Sequence, residues 1–183
     1  GSHYALDSHA VRKREEGRVH LDGFLSYPSA VYTVPYGVMV PKEVGNLLLP
    51  VPVSGSQIGF STLRMEPCWM AMGQAAGIAS ALSIDGKVKV QNIDLSRLQD
   101  KLIDQKATLM YFKDVDYMSP HFRMVQYLGL RGYLPEWDAR LQEPVDMATL
   151  TAWKKLSGKD LPGIEAGKTT RLVALEMIYR KIK

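Results

Sequence analysis

The chain carries one cysteine, Cys68, in 183 residues. A lone cysteine excludes an internal disulfide and any cysteine-rich metal site. Lying in an apolar stretch between Pro67 and Trp69, it reads as a buried, inert thiol rather than a nucleophile. Histidine is also scarce, and His3, His9, His20 and His121 show neither an i, i+4 pair nor a ligand-like spacing. No metal site is expected. No G-x-G-x-x-G occurs anywhere, so the usual dinucleotide-binding βαβ fingerprint has no candidate in the chain. Long hydrophobic runs are missing as well, because Gly, Pro or polar residues interrupt each of them, and no membrane span is expected. Charge of one sign is not in large excess: the net charge is +4, with acidic residues spread among the basic ones. That balance gives no nucleic-acid partner. The one dense basic run, Arg12-Lys13-Arg14, is followed at once by Glu15-Glu16 and reads as a solvated face.

What is present is an ordinary globular composition, 46% hydrophobic and 23% charged, enough for one moderate domain or two small ones with real cores. Gly1-Ser2-His3 reads as a cloning remnant. From Tyr4 to about Pro41 the chain is rich in Tyr, Val, Pro and Gly, and the alternation at Val19-His20-Leu21 and Val31-Tyr32-Thr33-Val34 predicts short strands and turns. Leu47-Leu48-Leu49 and Val51 to Val53 predict a buried strand, which Pro50 and Pro52 confine to a strand end or sheet edge.

A small-residue turn follows, Ser54-Gly55-Ser56-Gln57-Ile58-Gly59, and then a helix from about Glu66 to Ser83. Pro67 suits its first turn and Asp85-Gly86 its stop. Gly73, Ala76, Gly77 and Ser80 recur at three- and four-residue spacing as a stripe with almost no side chain. The spacing favours close packing on a sheet, a reading compatible with a cofactor role. A strand, a turn without bulky side chains and a long helix with free N–H groups can together admit a flat ring, as flavoproteins do at the isoalloxazine end of FAD.

Further on, Asn92 or Asp94 can cap a helix carrying Leu95, Leu98, Leu102 and Ile103 to about Lys106. Thr108 to Phe112 reads as a short strand and Lys113 to Asp116 as a loop. Ser119-Pro120 opens a helix with Phe122, Val125, Tyr127, Leu128 and Leu130, stopping at Gly132. Tyr133 to Pro144 is loop-like. Asp146 or Thr149 caps a helix through Leu150, Trp153 and Leu156 to Gly158, and Thr169 or Thr170 caps the last, with Leu172, Leu175, Met177 and Ile178. Residues 108–183 thus form a small helical unit.

Asn46-Leu47-Leu48-Leu49, Ser54-Gly55-Ser56, Arg64-Met65-Glu66-Pro67 and Met72-Gly73-Gln74-Ala75-Ala76-Gly77 resemble the C-terminal end of a bacterial FAD-dependent oxidoreductase family. Asp7-Ser8-His9, Val34-Pro35-Tyr36-Gly37 and Val40-Pro41-Lys42 also look like that family. Some of its members carry an inherited xanthan lyase label. Phe112 to Val115, His121-Phe122, Val125 to Leu128 and Arg131 to Leu134 are similar to an S-layer-homology module, a type that binds cell-wall polymers. Pro144 to Ala148 lacks the arginine of that module's helix start, which makes a structural role the expectation.

The resemblance implies an α+β fold: short strands and a long glycine-containing helix from the end of an FAD-binding fold, residues 4–107, followed by the helical unit 108–183. It implies FAD in the intact protein, none held by this chain alone, and a nucleotide-binding domain as the missing partner. With the helix near Met65 aimed at the pyrimidine edge of the flavin, Ser61, Thr62, Arg64 and Met65 become the cofactor-binding residues. Arg64 serves either as a fixed positive charge near ring or substrate, or as half of an ion pair with Glu66 or another carboxylate. Gln57 stands where many relatives have histidine, so hydrogen bonding replaces acid/base chemistry there. Tyr4, Tyr32 and Tyr36 line a substrate pocket or pack the core. No catalytic residue emerges: Asp7, Ser8 and His9 are adjacent in sequence, point different ways, and do not make a triad. The alternative function is a carbohydrate-binding or cell-surface module, in a periplasmic or secreted setting.

Overall fold

A computed structural model describes residues 2–9, 16–17 and 24–183. The alternation at Val19 to Leu21 and the run Arg12 to Arg14 lie outside the described residues. The fold is α+β, with a two-stranded sheet and six α-helices among the described residues. It divides into two compact units, residues 1–98 and 99–183.

In the first unit, β1 (Leu6–His9) pairs antiparallel with β2 (Phe24–Tyr27), setting Asp7 opposite Ser26 and His9 opposite Phe24. Ser2 and Tyr32 add an isolated bridge, so the alternation at Val31 to Val34 yields one bridge instead of a strand. Helix α1 (Gln57–Leu63) packs on β1. Its N-cap is Ser56, whose hydroxyl accepts the Gly59 N–H at 3.0 Å, so the second half of the expected turn is already helical. Two residues later α2 (Glu66–Gly86) begins with Pro67 in its first turn and ends on Lys87 in the left-handed region. At 1.5 Å per residue α2 is about 30 Å long.

The core of this unit gathers Met39, Val53, Leu63, Cys68, Met72 and Ala76, with Tyr32, Tyr36, Phe60 and Trp69 partly buried against it. Leu47 to Val53 is irregular, which corrects the strand expectation. Pro50 and Pro52 have no N–H to give a ladder. Instead, Leu49 N–H bonds Met39 C=O at 2.8 Å and Ser54 N–H bonds Val38 C=O at 2.7 Å, tying the run to a 3-10 turn at Tyr36–Met39. The small-residue stripe of α2 is packed only in part among the described residues: Ala76 is buried in this core, but the two glycines are not closely approached. A Cβ added at Gly73 or Gly77 meets no atom within 4 Å, while Met70 and Ile84 on the same helix are about three-quarters exposed, at 74% and 75%.

Helix α3 (Leu95–Asp104) runs across the division between the units. Asp94 caps it, its carboxylate accepting from Ser96 and Arg97 N–H at 2.9 and 3.2 Å, and Asn92 closes a 3-10 turn before it. In the second unit, α4 (Phe122–Gly129), α5 (Met147–Ser157) and α6 (Arg171–Ile182) surround a core that includes Phe112, Val125, Leu128, Leu134, Val145, Trp153, Leu175 and Ile178. Asp146 and Thr170 are the N-caps of α5 and α6, and Gly158 ends α5 in the left-handed region.

No strand forms at Thr108 to Phe112. Buried Gln126 takes the place of a strand partner: its Oε1 accepts Leu109 and Met110 N–H at 2.8 Å each, and its Nε2 donates to Met110 C=O at 2.7 Å. One side chain meets the donors and acceptor a neighbouring strand would have met.

Candidate functional site

The site is built where β1, the end of α1 and the start of α2 meet. Ser61 and Thr62, in the last turn of α1, are both buried. Ser61 Oγ donates to Ile58 C=O at 2.6 Å and accepts Asp7 N–H at 3.1 Å. Thr62 Oγ1 donates to Tyr4 C=O and lies 2.7 Å from the Tyr32 hydroxyl. Both hydroxyls therefore fasten the N-terminal segment to α1. Tyr32 and Tyr36 belong to packing: the Tyr36 hydroxyl donates to Val90 C=O at 2.9 Å, and burial raises its pKa above that of an ordinary tyrosine.

Arg64 is the C-cap of α1 and Met65 the N-cap of α2, so the two sit at a helix end and a helix start in succession. Met65 C=O accepts from Cys68 and Trp69 N–H at 3.0 and 3.2 Å. Among the described residues, no acceptor within the chain meets the N–H of Met65 or Glu66, and Pro67 has no N–H. Helix α2 therefore opens with two unmade donors and the positive end of its dipole. Trp69 Nε1, in the same turn, is a buried donor with no partner among the described residues.

The ion-pair alternative for Arg64 is the one seen, with Asp7 and not Glu66 as the partner. Its guanidinium meets Asp7 Oδ2 at 2.5 Å and lies 5.6 Å from the centre of the Tyr4 ring. The other Asp7 oxygen is 3.0 Å from His9 Nε2, and the Tyr4 hydroxyl donates to Oδ2 at 3.3 Å. Gln57 Nε2 donates to His9 C=O at 3.0 Å and to Ser8 Oγ at 3.4 Å, so it acts by hydrogen bonding, in line with the expectation for that position. The expectation that Asp7, Ser8 and His9 all point different ways is corrected here, since Asp7 and His9 meet. In a strand, residues i and i+2 share a face, so Asp7 and His9 stand together while Ser8 points away.

The donor set fits the pyrimidine edge of a flavin. That edge presents acceptors and gains negative charge on reduction, and two unmade N–H groups at the positive end of a helix dipole suit it. Of the four expected residues, Arg64 and Met65 lie at this opening, whereas the Ser61 and Thr62 hydroxyls are engaged behind it.

No cluster of three or more candidate metal ligands occurs among the described residues, and no described helix is long and apolar enough to cross a membrane. No curated protein and no solved structure matches the chain. A family model described as FAD dependent oxidoreductase matches residues 1–102, more than half of the chain and including β1, α1 and α2. The chain belongs to the FAD-dependent oxidoreductase family.

Proposed function

We propose that this chain is the C-terminal part of an FAD-dependent oxidoreductase and supplies the flavin-side wall of the cofactor site. The observation that carries this is the start of α2: unmade Met65 and Glu66 N–H groups, the helix dipole, and the Arg64 cation one residue upstream. FAD, when bound, supplies the hydride acceptor. Met65 and Glu66 N–H groups hold the pyrimidine edge, Arg64 places fixed positive charge beside it, and Ser61 and Thr62 act by keeping β1 fastened to α1. The ADP half is held by a nucleotide-binding domain outside this sequence, since no G-x-G-x-x-G occurs in these 183 residues.

The test is flavin binding. The isolated chain mixed with FAD is expected to show no tight, stoichiometric flavin absorbance after desalting, whereas the complete flavoprotein retains it and loses affinity on Arg64→Ala. Tight binding by the isolated chain refutes the divided-site reading.

A second reading concerns residues 108–183, which lie outside the family match: a carbohydrate-binding or cell-surface role, motivated by the S-layer-homology resemblance of that segment and by the xanthan lyase label that some family members carry. Tyr111 and Trp137 support it, two rings 6.4 Å apart and each 42% exposed, a surface on which a sugar ring can stack. Polysaccharide retention that Trp137→Ala abolishes is the expected outcome on this reading.

A further inference from the structure

In the second unit, two irregular stretches, one before α4 and one after it, carry a corner of exposed aromatic rings on a fastened frame. Tyr111 and Trp137 stand at 74° to one another with their centres 6.4 Å apart. Phe112, next to Tyr111, and Ala139, two residues after Trp137, are buried, so both stretches are pinned in the core beneath the rings. Their backbones are pinned as well. Lys113 N–H donates to Trp137 C=O at 2.8 Å, and the Asp114 carboxylate accepts the Ala139 and Arg140 N–H groups at 2.8 and 2.7 Å. Gln126 of α4 holds Leu109 and Met110 on the other side of Tyr111. Arg140 takes a left-handed φ of 51°, a conformation that costs a non-glycine residue energy, and the Asp114 bond to its N–H holds it there. Rings carried on a frame fixed in this way lose little freedom when a ligand settles on them.

The charges beside the rings are balanced. Lys113, two residues from Tyr111, lies 3.6 Å from the carboxylate of Asp138, the neighbour of Trp137. Glu136, on the other side of Trp137, meets the Arg140 guanidinium at 2.5 Å. Each acid flanking Trp137 therefore has a cation of its own. A free carboxylate next to two rings suits a quaternary ammonium ligand, and a free cation suits an acidic one; paired charges suit neither. They do suit hydroxyl groups, because a carboxylate oxygen accepts and an ammonium donates while the two remain paired. The apolar match for the rings is a sugar whose hydroxyls are equatorial, since its axial C–H bonds leave flat faces that leave water against an aromatic plane.

We propose that Trp137 and Tyr111, rimmed by Lys113 and Asp138, form a subsite for a neutral pyranose with equatorial hydroxyls, such as one unit of a β-1,4-linked glucan chain. One sugar face stacks on the Trp137 indole, Tyr111 bounds the sugar's edge, and Asp138 and Lys113 bond its hydroxyls at the rim. This assignment rests on the carbohydrate reading of residues 108–183 and narrows it to one class of sugar.

The test titrates the whole chain with cellohexaose, and with oligogalacturonate and choline as acidic and cationic probes, followed by ¹H–¹⁵N NMR. The indole N–H of Trp153, which donates to Tyr133 C=O inside the core, is the internal control. Cellohexaose is expected to move the Trp137 indole signal and not that of Trp153, with the same affinity at low and high salt. Read from the neighbouring backbone amides, Trp137→Ala is expected to weaken binding on the order of tenfold and Asp138→Ala about threefold, while Trp137→Phe keeps most of it. A Trp137→Ala variant that is folded by circular dichroism and binds cellohexaose as the parent does overturns the proposal, and Asp138→Ala decides the point where Trp137→Ala does not fold. Tighter binding of oligogalacturonate or choline overturns it too. An acidic polymer retained through Trp137 leaves the carbohydrate reading standing and removes only the neutral class, whereas retention of no polysaccharide, neutral or acidic, refutes the carbohydrate reading itself.

Discussion

Replacing Gly73 and Gly77 by alanine puts the packing of α2 to a quantitative test. Both lie in the interior of a 21-residue helix, and a Cβ at either meets no atom within 4 Å. Nothing among the described residues opposes the methyl groups, so the effect is that of helix propensity: about 1 kcal/mol per glycine, from the freedom glycine loses on folding. Adding the two gives about 2 kcal/mol. For a domain of roughly this size each kcal/mol moves the thermal midpoint by about 4–8 °C, so the pair is expected to raise that of residues 1–98 by roughly 10 °C. Thermal melts followed by circular dichroism, with urea midpoints as a second measure, read this directly. An unchanged or lowered midpoint refutes the reasoning, for it means that the stripe is covered within the chain. On the proposed reading, with the stripe facing a nucleotide-binding domain, the same two methyl groups are expected to weaken flavin retention by the complete flavoprotein.

Other outcomes follow from the second unit. Gln126→Leu keeps much of the side-chain volume but removes partners from two backbone N–H groups and one C=O, so a loss on the order of 3 kcal/mol in urea unfolding is expected. Asp146, the N-cap of α5, has its pKa lowered first by the Thr149 hydroxyl and then by the Thr149 N–H. A carboxyl lowered on folding contributes stability that is fully present above its unfolded pKa and is lost as pH falls through its folded one. Thermal midpoints are therefore expected to drop on acidification below the ordinary aspartate range, and Asp146→Ala to remove that part of the drop.

Much of the helical layout was legible from end signals, because capping is local chemistry. Asp94, Asp146 and Thr170 cap where side-chain oxygens can reach N–H groups two or three residues on, and Pro67 stands in the first turn of α2. Helix α1 escaped notice because its seven residues, Gln57–Leu63, include Gly59, and glycine in a short polar stretch reads as a turn. Both expected strands, at Leu47 to Val53 and at Thr108 to Phe112, rested on hydrophobic runs. A run predicts burial, but a strand also requires a backbone partner. Met39 and Val38 provide only scattered bonds to the first, and Gln126, one side chain, replaces a strand for the second.

The candidate site divides in the same way. Arg64 and Met65 could be chosen from the sequence because they precede a helix start, and a helix start has unmade donors wherever it occurs. The partner of Arg64 could not, since Asp7 lies 57 residues away and only the packing of β1 on α1 joins them. Ser61 and Thr62 could be seen as polar residues near the helix start, but the direction of their hydroxyls, inward to Asp7 and Tyr4, depends on where the N-terminal segment docks.

By itself, then, the sequence determined the α+β class, most helix ends, the lack of disulfides, and a set of motifs resembling a flavoprotein family, since propensity, capping and residue supply act over a few positions. Only the tertiary structure decided that Asp7 bridges His9 and Arg64, that the Ser61 and Thr62 hydroxyls bond the N-terminal segment, and that Gly73 and Gly77 have no close neighbour among the described residues. Those outcomes turn on contacts between segments tens of residues apart, whose geometry no local pattern records.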